Sequence, residues 1–169
     1  KDVLSAAQNV LESSDFPTTK NEKWKYSRLG RLSKLELQQS RKPSVSSNSQ
    51  LICDNAITIE INNGHIQSIP TLPKGIEIKS FNNCSNEELS RIGNYLNLEN
   101  EVFHSLNSLY ANDGIYIETD KNVKIDQEIH LLHNTLGNNE FIPFRVFIHC
   151  HSSSELQIVE LFQTNNTDH

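Results

Sequence analysis

LNSLYANDGIYIETDKNVKIDQEIHLLH, residues Leu106–His133, holds a short helical run, an Asp113-Gly114 turn and three brief strand-like patches. The patches are Ile115–Ile117, Val123–Ile125 and Ile129–Leu131. Strands this short do not hold a sheet alone. They become stable when each stacks on the next, so the stretch predicts a coiled, solenoid-like scaffold. The chain offers no complete catalytic set to place on it, which argues against a free-standing enzyme.

Working outward, 169 residues suffice for one core with a small helical appendage, and 36% apolar content implies a modest core. Asn pairs at Asn62-Asn63, Asn82-Asn83, Asn138-Asn139 and Asn165-Asn166 favour tight turns, because Asn tolerates left-handed backbone geometry. The formal charge of -6 conceals an asymmetry. Residues 1–42 carry nine Lys/Arg against five acidic residues, a net of +4, and residues 43–169 carry six against sixteen, a net of -10. The body therefore lacks the basic face that nucleic-acid binding requires. Cys53, Cys84 and Cys150 are odd in number and widely spaced, which fits reduced cytoplasmic thiols better than a disulfide framework. No apolar run approaches the roughly 20 residues of a membrane span, and the start has no apolar signal core. The Asn165-Asn166-Thr167 sequon accordingly reads as chance. A first residue of Lys and a polar end at Gln163–His169 suggest a trimmed chain or a piece of something longer.

Along the chain, Val3, Ala6, Ala7, Val10 and Leu11 recur at helical spacing until Asp15-Phe16-Pro17. Thr19 and Glu22 read as a capping box opening a second helical run through Trp24 and Tyr26, continued by Leu29, Leu32, Leu35 and Leu37. Arg41–Gln50 is a Ser-rich linker. From Leu51 the period becomes two, with Ile57, Ile59 and Ile61, an Asn63-Gly64 turn, Ile66 and Ile69, then Ile76 and Ile78. Ser85 with Glu88 caps a helix faced by Leu89, Ile92, Tyr95 and Leu96, and Asn100 caps another carrying Phe103, Leu106 and Leu109 or Tyr110. Strands return at Phe144–Cys150 and Leu156–Phe162. The expected organisation is a helical region at 1–42 and a β body at 51–169 with a helical insertion at about 86–110. No helices of 10–15 residues separate the later strands, so a doubly wound fold is disfavoured. Between a β-helix and an irregular sandwich, the right-handed parallel β-helix is preferred because it uses very short strands.

The candidate metal constellation is His130, His133, His149, Cys150 and His151. Strand alternation sends His130, His149 and His151 outward, where stacked coils could join three imidazoles suited to zinc or iron. His133 and Cys150 fall on the buried parity, and no carboxylate stands at a telling spacing, so solvated or structural histidines are the simpler reading. Cys150 as a nucleophile lacks a base on its own face, since alternation turns His149 and His151 away; a small core residue is the simpler role. Cys53 and Cys84 sit beside turn residues without ligand spacing. Asp113 and Asp126 could be imagined as an acid/base pair, but Asp113-Gly114 is more simply a turn with Gly in the strained conformation. Arg145 reads as an outward residue for a surface ion pair or partner contact, and no Gly-rich loop supports phosphate binding. Trp24 and Tyr26, among Lys23, Lys25 and Arg28, suit a docking helix better than nucleic-acid stacking.

These residues resemble the SufB/SufD family of iron–sulfur cluster assembly proteins, on its SufD branch. Phe16-Pro17 followed by Glu22-x-Trp24-Lys25-Tyr26 is similar to the family's N-terminal signature, and Asn63-Gly64 with Leu72-Pro73-x-Gly75-Ile76 to its next elements. Phe103-x-x-Leu106-Asn107, Asp113-Gly114-x-x-Ile117 and Ile129-His130-Leu131-Leu132-His133 form the strongest match, followed in order by Pro143-x-Arg145 and Leu156-x-Ile158-Val159-Glu160. Leu109 replaces a usual Ala, Gln127-Glu128 stands where Pro is common, and the loop Glu118–Lys121 lacks the usual Pro-x-Gly, which marks a divergent member. The resemblance implies a helical N-terminal region, the opening coils of a right-handed parallel β-helix, and pairing with a SufB-like subunit and a SufC-like ATPase. It implies a non-catalytic scaffold role. The family's cluster-assembly Cys and His residues lie later than any position here, so none is carried over and iron or a cluster is expected only in the full complex. Competing expectations are a metal-dependent or carbohydrate-active enzyme on a β-helix, which would rest on His130, His149 and His151, and a generic β-solenoid adaptor. An open last coil at 156–162 would also permit self-association.

Overall fold

The computed structural model describes residues 3–27, 29–40, 55–95, 98 and 101–164. Expectations placed on Arg28, the 41–50 linker, Leu51, Cys53, Leu96, Asn100 and the Asn165-Asn166 pair lie outside the described residues.

Helix α1 (Val3–Ser13) follows the predicted apolar spacing and stops ahead of Pro17. The expected second helix does not form. Glu22–Trp24 and Leu32–Lys34 are single 3-10 turns, with Asn21 Oδ1 accepting from the Thr18 amide at 2.9 Å in place of a Thr19 cap. Strands β1 (Gln38–Gln39), β2 (Ile57–Asn62), β3 (His65–Ile66) and β4 (Ile76–Ser80) precede helices α2 (Asn86–Tyr95) and α3 (Val102–Tyr110). Strands β5 (Gly114–Thr119), β6 (Ile129–Thr135), β7 (Glu140–Phe141), β8 (Arg145–Cys150) and β9 (Ile158–Thr164) complete the chain.

The right-handed parallel β-helix expected from the short strands is not the fold. The strands form mixed sheets, one in the order β3-β2-β6-β9 and one in the order β4-β5-β8, with β1 and β7 pairing separately. Parallel pairs β2–β6, β6–β9 and β5–β8 sit beside antiparallel pairs β2–β3 and β4–β5, and neither sheet closes or curls strongly. The architecture is mixed α/β. Two features of the chain path produce the antiparallel pairs. Asn63 at φ 47 and Gly64 at φ 75 make the two left-handed positions of a tight hairpin turn, which reverses the chain into β3. Between Ser80 and Gly114, α2 and α3 bring the chain back to the end of β4 that it left, so Ser80 lies opposite Ile115 and β5 runs back along β4. Val123–Ile125 makes no strand and contributes an isolated bridge from Lys124 to Glu155.

The two larger sheets share one core. Ile57, Ile59, Ile61, Ile129 and Leu131 come from one, and Ile76, Ile78, Ile115 and Ile117 from the other, joined by Ile125. Burying each of these Ile or Leu side chains contributes about 1.5–3 kcal/mol against the entropy of ordering it. Asn134 Nδ2 donates to Asn62 Oδ1 at 2.8 Å between paired strands, and Asn63 exchanges two hydrogen bonds with the Leu136 backbone. The core thins toward β8 and β9, where Ile148 and Phe162 are 46% and 76% exposed.

Candidate functional site

The outer face of β5 and β8 carries the densest polar network among the described residues, and α2 covers it. Tyr116 is fully buried because Phe147 stacks on its ring at 5.4 Å and Arg91 of α2 reaches its hydroxyl at 2.7 Å. Alternation along β5 places Tyr116 and Glu118 on the same side. The Tyr116 hydroxyl donates to Glu118 Oε2 at 2.8 Å, while Arg91 Nη1 donates to Glu118 Oε1 at 2.8 Å. His151 Nε2 lies 2.9 Å from the same Oε1, and the His149 ring meets the His151 ring edge-on at 4.6 Å. Beside them, Lys79 bridges Glu77 at 2.9 Å and Glu88 at 2.8 Å.

Burial alone would push the Glu118 carboxyl up, but hydrogen bonds from Tyr116, His151 and Arg91 outweigh it and hold the group below the usual carboxylate range. Burial, then the hydrogen bond to Glu118, raises the Tyr116 phenol, so it stays protonated and cannot act as a base. The hydrogen bond from Lys79 brings Glu88 down to about 2, and burial pushes the Cys84 thiol up to about 11, far from a reactive thiolate. The face is a bracing ion-pair network with one accessible carboxylate–imidazole corner. It contains no nucleophile paired to a base and an orienting group.

The histidines expected to meet are divided between sheets. His130 is 3% exposed on β6, with Nε2 2.8 Å from Glu128, because both faces of this inner strand are covered. His149 and His151 do come together, and Glu118, directly opposite His149 in the β5–β8 register, joins them. Sequence reasoning missed Glu118. Its outward parity was legible, but its partner strand was not. His133 is partly buried and stacks on Phe162 at 4.5 Å with Glu160 3.1 Å away, and burial lowers its pKa. It lines a cavity of about 440 Å³ with Ile61, Ile142, Phe144 and Val146, between the β6–β9 pair and the start of β8.

Other expectations need correction. Cys150 is exposed and not a core residue: it ends β8, which among the described residues pairs on one side only, with β5. Gly114 has no left-handed backbone; it is required because a Cβ there would meet the Phe81 ring at 2.5 Å and the Arg145 carbonyl at 2.8 Å. Asp113 accepts from Ser80 Oγ and the Gly114 amide, and so caps the start of β5 while Asp126 stands exposed elsewhere. Arg145 is half-buried and donates to Ser108 Oγ at 3.1 Å, bracing α3 on β8, and burial lowers its pKa. In the N-terminal segment, Trp24 and Phe16 pack on Phe103 at 4.9 and 5.4 Å, and Lys23 pairs with Glu101, while Tyr26 is left 91% exposed.

This is a mixed α/β module whose polar face serves structure before chemistry. Residues 2–131 match the family described as the SufBD protein N-terminal region, and the chain belongs to that family. Its members are characteristically non-catalytic scaffold domains, the chain is not an enzyme, and the membership supports a general role in iron–sulfur assembly by the Suf system. No curated protein matches the chain significantly. Among the described residues, no helix is long and apolar enough to cross a membrane.

Proposed function

We propose that the chain serves as the N-terminal region of a SufD-branch scaffold subunit, working in the cytoplasm with a SufB-like subunit and a SufC-like ATPase. The observation that carries this reading is the family match over residues 2–131. The branch assignment rests on the ordered motifs from Phe16-Pro17 and Glu22-x-Trp24-Lys25-Tyr26 through Leu156-x-Ile158-Val159-Glu160. Iron and sulfide are cargo of the full complex, and no residue of this chain is assigned to them.

Within this role, the described residues between 3 and 37, with α1 and two 3-10 turns, serve as a docking region ahead of the larger sheets. Tyr26, Leu32 and Leu35 are large apolar side chains exposed on it, next to Lys23, Lys25 and Lys34. Exposed apolar side chains flanked in sequence by lysines suit an acidic partner with an apolar centre. Among the described residues β8 and β9 each pair on one side only, which adds a second route, association between copies of the chain.

Co-expression with SufB-like and SufC-like proteins from the same source tests the reading. A stoichiometric complex should co-elute, and Tyr26→Ser combined with Leu35→Ser should weaken it without unfolding the chain. Failure of the unaltered chain to join any such complex would remove the assignment.

A further inference from the structure

We propose that Glu118, His149 and His151 form a surface site for a divalent metal ion of the zinc class. The placement follows from the strands. His149 lies near the end of β8, where the parallel register sets Glu118 directly across from it, and His151, just past the strand's last residue, brings its ring against His149 at 4.6 Å. One ligand atom from each residue lies within 4.8 Å of the others, and each residue is half-buried on the same corner. Tetrahedral zinc, with bonds of about 2.0–2.1 Å, needs donors about 3.3 Å apart. His151 is already 2.9 Å from Glu118 Oε1, and a ligand nitrogen of His149 lies within 4.8 Å of both, so closing the site takes only a shortening of that last separation. Two imidazoles and one carboxylate select zinc and its borderline neighbours over calcium or magnesium, which take oxygen ligands. Water fills the fourth position.

Arg91 sharpens the assignment. In the metal-free chain its guanidinium supplies the positive charge that Glu118 Oε1 needs. It also holds the Tyr116 hydroxyl at 2.7 Å and approaches Glu87 at 3.7 Å, so it keeps partners if a metal displaces it from the carboxylate. Arg91 and the metal therefore compete for one oxygen. The neighbouring trio of Glu77, Glu88 and Glu118 lacks imidazole, and the Lys79 ammonium already bridges two of its members.

Titration of the full chain with Zn²⁺ by calorimetry, and with Co²⁺ by visible absorption, tests the proposal. One metal should bind per chain. His149→Ala and Glu118→Gln should each weaken binding by about tenfold or more, while Arg91→Gln should tighten it several-fold. His104→Ala, on α3 and outside the trio, should leave it unchanged. If Glu118→Gln loses its circular dichroism spectrum, His149→Ala decides, since its ring contact on this face is with His151. Absence of binding, binding that survives the double variant His149→Ala and His151→Ala, an equal loss in His104→Ala, or a preference for Ca²⁺ would each overturn the site.

Discussion

Lys79 and Glu88 show how one side chain can anchor an element and set a pH response. Glu88 accepts from Lys79 at 2.8 Å and from the Ser85 amide at 2.7 Å, so it closes the capping box of α2 and ties that helix to β4. The Lys79 hydrogen bond, with the Ser85 backbone bond next, brings its pKa from 4.5 to about 2. A folded pKa below the unfolded one means the stabilisation is full above the unfolded value and is lost as pH falls toward the folded one. Urea melts should thus show stability falling between pH 4.5 and 2, and falling less steeply in Glu88→Gln. Identical pH slopes in the two proteins would show that this carboxylate does not link α2 to acid stability. The capping box itself was legible, because Ser85 and Glu88 stand three apart ahead of an apolar run. Lys79 as the third member was not, since it arrives from a separate strand.

At the scale of elements, the β4–β5 pair depends on how closely backbone and ring approach at Gly114. Phe81, in the turn after β4, packs over Gly114, and the Arg145 carbonyl of β8 closes the other side. A methyl group at this position overpacks both contacts. Gly114→Ala should therefore cost about 1–3 kcal/mol in chemical denaturation, with Phe81→Leu in the same background recovering part of it. A neutral Gly114→Ala would mean that this end of the sheet adjusts freely. The Asp113-Gly114 pair looked like a turn in sequence, and the need for Gly was read correctly but for the wrong cause. Backbone freedom is a local property that a dipeptide signals. A missing Cβ is demanded by neighbours thirty or so residues away, which no local pattern reports.

For the whole molecule, the decisive asymmetry is between a dense first half of the core and a thin end at β8 and β9. Among the described residues each is the last strand of its sheet, and Ile148, Cys150 and Phe162 are exposed there. Edge strands with exposed apolar side chains recruit further strands. Sedimentation should show concentration-dependent association of the chain, and Phe162→Glu should shift it toward monomer while leaving the melting profile little changed. A wild-type chain that stays monomeric at high concentration would exclude this edge as an interface. The same end carries His149 and His151, so a metal there would sit beside the associating edge.

Val123–Ile125 read as a strand and is none, and β1 and β7 went unread, but short-range pattern carried the segments of β2, β4, β5, β6, β8 and β9, the hairpin at Asn63-Gly64, the capping box at Ser85 and the ordered motifs of the family. All of these are encoded in residues a few positions apart. Long-range packing alone set the pairing of β5 with β4 and β8 and of β6 with β2 and β9, and with it the mixed sheets. It also removed His130 from the candidate site and supplied Glu118. Alternation along a strand states which face a side chain takes, but the neighbour across that face is chosen by long-range packing of the Ile-rich core.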